Sequence, residues 1–246
     1  MFLKVTFFIV FLSRIFSVYA LNEKELKSGF VELNKIAPTI LVNLKYAIRD
    51  NITGAKLNGV NSNRAITTIE AALALKEVQK DAIAMGFSLV IYNAYIPKKA
   101  LKNLIEFIDR TEDTKYWPRI NDKLIVKEEY VKSKISHTRG STVDVTLISL
   151  DDEIFSPPKN ISKRHYSGIN LTYVNDGTLA MGSFYDLFDD TSSVNFENKI
   201  KVKEIQNRQL LTKLMKDHGF YQDKKMWWQF TLIREPYMDS EWDFNF

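Results

Sequence analysis

The spacing of hydrophobic residues predicts two amphipathic helices in the first half of the chain. In the first, the helical period is kept by Ala71, Leu75, Val78, Ala82 and Met85. Thr67-Thr68-Ile69-Glu70 has the spacing of a capping box before this series, and Gly86 is a typical stop after it. A second helix is predicted over residues 98–110, with an inward face formed by Leu101, Leu104, Ile105 and Ile108.

Strand patterns lie between and after these helices. Phe87 to Tyr92 is a continuous apolar run of strand length. Thr142 to Ile148 alternates, so Asp144 and Thr146 are expected on the face opposite the valines. A third helix is predicted from Val202 to His218, ending at Gly219, followed by a strand from Trp227 to Ile233.

The order of these elements predicts the fold class. Residues 149–180 are rich in turn signals, such as Pro157-Pro158 and Asp176-Gly177, and are expected to form a long loop or a small hairpin. Helices and strands mix without a regular βαβ rhythm. This favours a single α+β domain in which helices flank a mainly antiparallel central sheet.

The first twenty residues have the pattern of a signal peptide. Lys4 precedes an apolar run from Val5 to Leu12, and the small-residue exit Ser17-Val18-Tyr19-Ala20 follows. The run is too short to span a bilayer and Arg14 interrupts it, so a permanent membrane anchor is the weaker interpretation. We expect cleavage after Ala20, export, and a functional domain over residues 21–246.

Composition narrows the chemistry. The 246 residues are 45% hydrophobic and 13% aromatic, as in an ordered globular protein. The formal net charge of +4 would fall to +2 without Lys4 and Arg14, which does not indicate nucleic acid or an anionic surface as a partner. With no cysteine, disulfides, thiolate nucleophiles and Cys-type zinc sites are excluded, and the histidines are His137, His165 and His218.

His137 and Asp144 are the first candidates for chemistry. A zinc peptidase needs three protein ligands and one open position, so that a bound water ionises near neutral pH. Gly140 would let the loop turn between the two residues, and the predicted strand would hold the carboxylate. The spacing alone is weak evidence, because a loop histidine and a strand aspartate that share no ligand could have the same spacing.

A series of segments through most of the chain resembles the D-alanyl-D-alanine dipeptidases, which are relatives of the D-Ala-D-Ala carboxypeptidases and of the hedgehog signalling domain. In order, the segments are Asn43 to Ala47, Asp50 to Gly54, Tyr92 to Pro97, Ser136 to Leu147, Met181 to Asp186, Asn207 to Leu211 with Gly219-Phe220, Trp227 to Leu232, and Glu235-Pro236-Tyr237 with Asp239. The resemblance implies the hedgehog and D-Ala-D-Ala peptidase fold. It also implies zinc as cofactor, D-Ala-D-Ala or peptidoglycan-derived peptides as ligands, and the periplasm or cell surface of a bacterium as location.

The resemblance assigns roles to individual positions, and several have changed. In the family, a Glu-x-x-His motif supplies the general base and the third zinc ligand; here those positions are Met226 and Gln229. The transition-state Arg position is Ile96, and Asn93 stands where an Asp is usual. Since losing a general base alone costs about 10²- to 10⁴-fold in rate, we expect an inactive or severely impaired copy.

The resemblance also gives the remaining site residues. His137 and Asp144 are the expected metal ligands, with Gln229 as a weak third. Substrate contacts are expected, on weaker grounds, from Ser136, Tyr95 and Trp228.

Other readings remain open at the level of sequence. A working metallodipeptidase would need a substitute ligand, for which His165 is the candidate, and a displaced base, for which Glu235 and Glu241 are candidates. A recently decayed enzyme would look similar, and so would a non-catalytic module that binds cell-wall peptides or a protein. A transport or scaffold protein unrelated to the cell wall would leave the motif series unexplained. His218 is expected to cap a helix.

Overall fold

The computed structural model describes residues 26–60, 62–111, 115–118, 130, 132–196 and 199–246. Within them, the helices and strands in chain order are β1 (Phe30–Glu32), α1 (Leu33–Ile36), β2 (Leu41–Val42), β3 (Ile66–Thr68), α2 (Ile69–Ala84), β4 (Phe87–Asn93), α3 (Lys98–Ile108), β5 (Thr142–Ser149), β6 (Lys159–Arg164), β7 (Asn170–Asn175), α4 (Val202–Asp217), β8 (Phe220–Gln222) and β9 (Gln229–Leu232). The predicted signal peptide lies outside the described residues.

A five-stranded sheet in the order β2-β4-β5-β9-β8 forms the centre of the fold. All neighbouring strands in it are antiparallel except β2 and β4, which are parallel. Two further sheets have two strands each, β1 with β3 and β6 with β7. The predicted α+β class with a mainly antiparallel sheet is therefore confirmed.

Helix α2 follows the predicted pattern, with two corrections at its ends. The N-cap is Thr68, whose hydroxyl accepts a hydrogen bond from the Ala71 amide at 3.3 Å, so the expected box on Thr67 does not form. Met85 lies beyond the last turn and is 53% exposed, because the helix ends before it could face inward. The apolar face of α2 is buried against the sheet. This burial stabilises the fold by about 1.5–3 kcal/mol for each large side chain.

The second half of the chain departs further from the predicted boundaries. The turn-rich segment contains the β6–β7 hairpin, which was one of the two expectations for it. The last strand is shorter than predicted: Trp227 and Trp228 lie in a turn before β9, and both are buried instead of facing opposite sides of a strand. Helix α3 ends at Ile108 instead of residue 110.

None of the helices in the described part of the chain has the length and apolar character needed to cross a bilayer.

Candidate functional site

Strand register places three polar side chains in a row across the middle of the sheet. Asp144 on β5 pairs with Asn93 on β4 and with Gln229 on β9. Directly paired residues project from the same face of a sheet, so the three side chains are neighbours. All three are buried, with the Asp144 side chain fully shielded from solvent. The sheet therefore holds a carboxylate between two amides in its interior.

His137 meets this row from the 3₁₀ segment Lys132–Arg139. Its Nε2 lies 3.1 Å from Asp144 Oδ1, and its Nδ1 lies 2.8 Å from the carbonyl oxygen of Ala94. A carbonyl oxygen can only accept, so Nδ1 carries a proton and Nε2 is directed at Asp144. Gly140, with φ at 83°, turns the chain immediately after this segment and into β5. The two predicted ligands are therefore brought together.

The second oxygen of Asp144 connects the pair to a cluster of phenols. Asp144 Oδ2 accepts hydrogen bonds from the Tyr185 hydroxyl at 2.8 Å and from Asn93 Nδ2 at 3.2 Å. Nearby, the Tyr46 hydroxyl donates to Asp186 Oδ2 at 2.8 Å. We use the name phenol cluster for Tyr46, Tyr185, Asp144 and Asp186. It holds two carboxylates within a buried region.

Both phenols of this cluster are held in the protonated state. Burial raises the pKa of Tyr46 and of Tyr185 well above the usual value, and the charges of Asp186 and Asp144 raise it further. A protonated phenol can donate to a carboxylate, which stabilises the charge without neutralising it. Each phenol therefore donates a hydrogen bond to a carboxyl group of the cluster.

Asp186 shows an unusual backbone at the same place. It is the non-glycine residue with positive φ in the described chain, at 62°, and it is 1% exposed. Such strain is typical of functional sites. Tyr46 and Asp186 were not singled out from the sequence, although both lie in segments that carry the family resemblance. Their pairing spans 140 positions, so no local pattern indicates it.

A narrow cavity of about 40 Å³ opens beside the phenol cluster. Tyr185, Asp186, Tyr92 and Trp227 are among the residues that line it. Lys45 also reaches it, and its Nζ lies 3.4 Å from Asp176. This volume has room for a few water molecules. The cavity is thus polar and small.

The two positions to which the resemblance assigned catalytic groups belong to the apolar core. Met226 is fully buried and Ile96 is 1% exposed, and both are members of the main hydrophobic cluster. Neither side chain can transfer a proton or stabilise a developing negative charge. The core therefore extends to the positions where the resemblance led us to expect catalytic side chains.

The donors present do not fit the family's zinc site. His137 and Asp144 are close enough to share an ion, and the ring orientation of His137 is that of a metal-bound histidine. A third ligand is required, but the part of the chain that the structure describes contains no group of three His, Cys, Asp or Glu that could hold a metal. The amide of Gln229 is a neutral and weak substitute.

The predicted substrate-contact residues have different positions. Ser136 is half-buried beside His137 in the 3₁₀ segment. The Tyr95 hydroxyl is hydrogen bonded to the backbone of Phe244, so it is directed at the C-terminal segment. Trp228 is fully buried and packs edge-on against Tyr185 at a ring distance of 5.4 Å. Their roles in substrate binding stay predictions.

The residues considered as a substitute third ligand or base have partners of their own. His165 contacts Asp189 at 3.2 Å and Ser167 at 2.6 Å. Glu235 forms an ion pair with Arg139, and Glu241 forms one with Lys98. His218 is the C-cap residue of α4, as expected, and contacts Asp81. Within the described residues, no contact joins His137 or Asp144 to any of the three candidates, which are His165, Glu235 and Glu241.

The comparisons with known proteins all indicate the same family. The family model described as D-ala-D-ala dipeptidase matches residues 26–156 and 156–246. A D-alanyl-D-alanine dipeptidase of Enterococcus faecalis is 33% identical over 223 residues, which cover 89% of this chain and 98% of that protein. One from Enterococcus faecium is 31% identical over 220 residues, covering 88% and 97%. One from Escherichia coli is 28% identical over 202 residues, covering 82% and 83%.

Proposed function

The chain belongs to the D-alanyl-D-alanine dipeptidase family of metallopeptidases, and we propose that this member binds D-Ala-D-Ala-type peptides without hydrolysing them. Peptidases of this family depend on zinc. The proposal separates two properties that active members combine. The framework of the site is retained, whereas the groups that activate water and stabilise the transition state are replaced.

The observation that carries the loss of hydrolysis is the burial of Met226. Its side chain occupies the base position with no exposed surface. Peptide hydrolysis needs a group that takes a proton from water and returns it to the leaving amine. A thioether in an apolar environment does neither. Ile96 and Gln229 add to this loss, since removal of one preorganised charge donor commonly costs about 10²- to 10³-fold.

The phenol cluster supports retained binding of a peptide amino end. Two buried carboxylates, Asp144 and Asp186, lie around Tyr46 and Tyr185. Buried negative charge is stabilised by a cationic partner that fits between its oxygens. The free ammonium of a D-Ala-D-Ala dipeptide is such a group. Because the adjacent cavity is only about 40 Å³, its walls must move apart to admit a dipeptide. We therefore expect weaker binding than at an open, preformed site.

The proposed location follows from the N-terminal pattern. Export after cleavage at Ala20 would bring residues 21–246 to the compartment where peptidoglycan peptides occur. We propose the periplasm or the cell surface of a bacterium.

Binding is tested by titration calorimetry with two ligands that differ only at the amino end. We expect saturable binding of D-Ala-D-Ala and at least about tenfold weaker binding of N-acetyl-D-Ala-D-Ala, equivalent to about 1.4 kcal/mol. Acetylation removes the positive charge while it keeps both methyl groups and the carboxylate. Asp186→Asn is expected to remove the preference for the free amine. Equal affinity for the two ligands would contradict the proposed role of the carboxylates.

The account of lost hydrolysis is tested by restoring the family residues together. The triple variant Ile96→Arg, Met226→Glu and Gln229→His is expected to bind zinc, whose charge offsets the cost of burying the introduced carboxylate, and to release D-alanine from D-Ala-D-Ala. The single variant Gln229→His is the control for metal binding without a base. A triple variant that folds, binds zinc and still releases no D-alanine would show that these positions do not account for the defect.

A further inference from the structure

A second cavity lies beside the β6–β7 hairpin and shares Tyr173 and Phe184 with the wall of the cavity beside the phenol cluster. It measures about 400 Å³ and is bounded by the hairpin, residues 182–191, residues 199–201 and the first turn of α4. Ligand sites in proteins commonly have volumes of about 300–1,000 Å³. We call it the hairpin cavity. Its size contrasts with the 40 Å³ of the cavity beside Asp186.

The wall of the hairpin cavity is unusually basic. The described residues that line it include four cationic side chains, Lys163, Arg164, Lys199 and Lys201, and one carboxylate, that of Glu204. Glu204 is buried and already satisfied, since Lys163 Nζ lies 3.0 Å from Oε1 and the Lys201 amide donates to Oε2 at 2.8 Å. Its charge is therefore not available to the other cations.

Three of the four cations are left to act on a ligand. Arg164, Lys199 and Lys201 form no ion pair with any residue that the structure describes. Surface cations are often merely solvated, but these three, although exposed, border the same concave cavity. Potentials of one sign are focused in clefts with low-dielectric walls. The hairpin cavity is thus electrostatically suited to an anion.

The interior of the cavity is apolar and aromatic. Rings of Tyr166, Tyr173 and Phe184 line it together with aliphatic side chains. Tyr173 packs edge-on against Phe184 at 5.9 Å, and Tyr166 contacts Phe196 at 4.8 Å. An inorganic anion would leave this surface exposed to water. A ligand with an apolar or ring-shaped body would bury it.

The hairpin is fixed over the cavity by buried contacts. His165, 8% exposed, contacts Asp189 on the facing segment at 3.2 Å. Asp189 in turn accepts from the Thr191 amide and hydroxyl, which holds that segment in place. Because hydrogen bonds hold both segments of the wall in place, the cavity is preformed. A ligand binds to a preformed cavity with a smaller entropic cost.

We propose that the hairpin cavity is a second binding site, for a small organic anion that carries a phosphate or carboxylate on a ring-shaped or apolar body. Arg164, Lys199 and Lys201 contact the anionic group. The rings of Tyr166 and Tyr173 contact the body. This second site is inferred from the hairpin cavity alone and does not rest on the proposed function.

The proposal is tested by titration calorimetry of the purified protein with phenyl phosphate, inorganic phosphate and phenol. Phenyl phosphate is expected to bind saturably and at least about tenfold more tightly than either half of the molecule alone. Equal affinity for phenyl phosphate and inorganic phosphate would overturn the proposal, since only surface charge would then be recognised. Absence of saturable binding of phenyl phosphate would overturn it as well.

Charge variants locate the site. Arg164→Gln with Lys199→Gln is expected to weaken phenyl phosphate binding about tenfold, which corresponds to about 1.4 kcal/mol. Lys203→Gln is the matched control, because Lys203 is exposed on α4 and does not line the cavity. It should change affinity less than about twofold. Arg164 and Lys199 are exposed, so both variants are expected to fold, which circular dichroism would verify. Equal weakening by the double variant and by the control would contradict the assignment.

Discussion

The substitution Met226→Glu tests how far the apolar core has closed over the catalytic position. Met226 is fully buried within the hydrophobic core. Replacing it loses about 1.5–3 kcal/mol of apolar burial. If burial raises the pKa of the introduced carboxyl by about 3 units, holding it neutral at pH 7 costs about 4 kcal/mol more. The total is about 5.5–7 kcal/mol, comparable with the whole stability of many domains.

Urea unfolding of Met226→Glu and of the uncharged control Met226→Gln measures this cost. The pKa of the introduced carboxyl is raised in the folded state. Its destabilising effect is therefore smallest below the unfolded pKa of about 4.3 and grows as pH rises towards the folded pKa. The free energy of unfolding of Met226→Glu should therefore fall relative to the control by about 1.4 kcal/mol per pH unit between pH 5 and pH 7. Equal stability of the two variants at pH 8 would refute the reasoning, since the charged group would then be accommodated.

Three further predictions concern the supporting structure. Tyr185→Phe removes the donor to Asp144 and should lower the free energy of unfolding by about 1.5–3 kcal/mol in urea titrations. Gly140→Ala should cost about 2–4 kcal/mol by the same assay, because its Cβ would lie 2.2 Å from the Phe30 ring. Gly219→Ala, with similar φ and open space, should cost about 1 kcal/mol; equal costs would contradict the packing argument. The free energy of unfolding should also fall above pH 10, by about 1.4 kcal/mol per pH unit for each tyrosine that folding keeps protonated. Below pH 10 the stabilising contribution of these tyrosines is fully present. The tyrosines with raised pKa are Tyr46, Tyr92, Tyr95, Tyr173 and Tyr185. An unfolding transition, followed by near-ultraviolet circular dichroism, whose midpoint is the same at pH 9 and pH 11 would contradict this prediction.

The sequence predicted those elements whose signal is local. The period of α2 and the alternation of β5 depend on neighbouring residues, so their positions could be read directly. The alternation also placed Asp144 on a defined face, and the resemblance paired it with His137. The end of α2 was less predictable, because a cap depends on backbone geometry that Thr67 and Thr68 could each have provided.

The features that escaped prediction depend on distant contacts. The parallel pairing of β2 with β4 and the bond between Tyr46 and Asp186 join segments far apart in the chain. The turn at Trp227 and Trp228 overrides their strand propensity, because the Trp227 indole donates to Ser183 while Trp228 packs on Tyr185. Tertiary packing decided these positions.

The most direct test of the central claim is D-alanine release from D-Ala-D-Ala by the purified protein, with its zinc content measured in the same sample. The account predicts zinc far below one equivalent and no release above the uncatalysed background. One tightly bound zinc with turnover would contradict it, and would require a third ligand and a base in addition to His137 and Asp144.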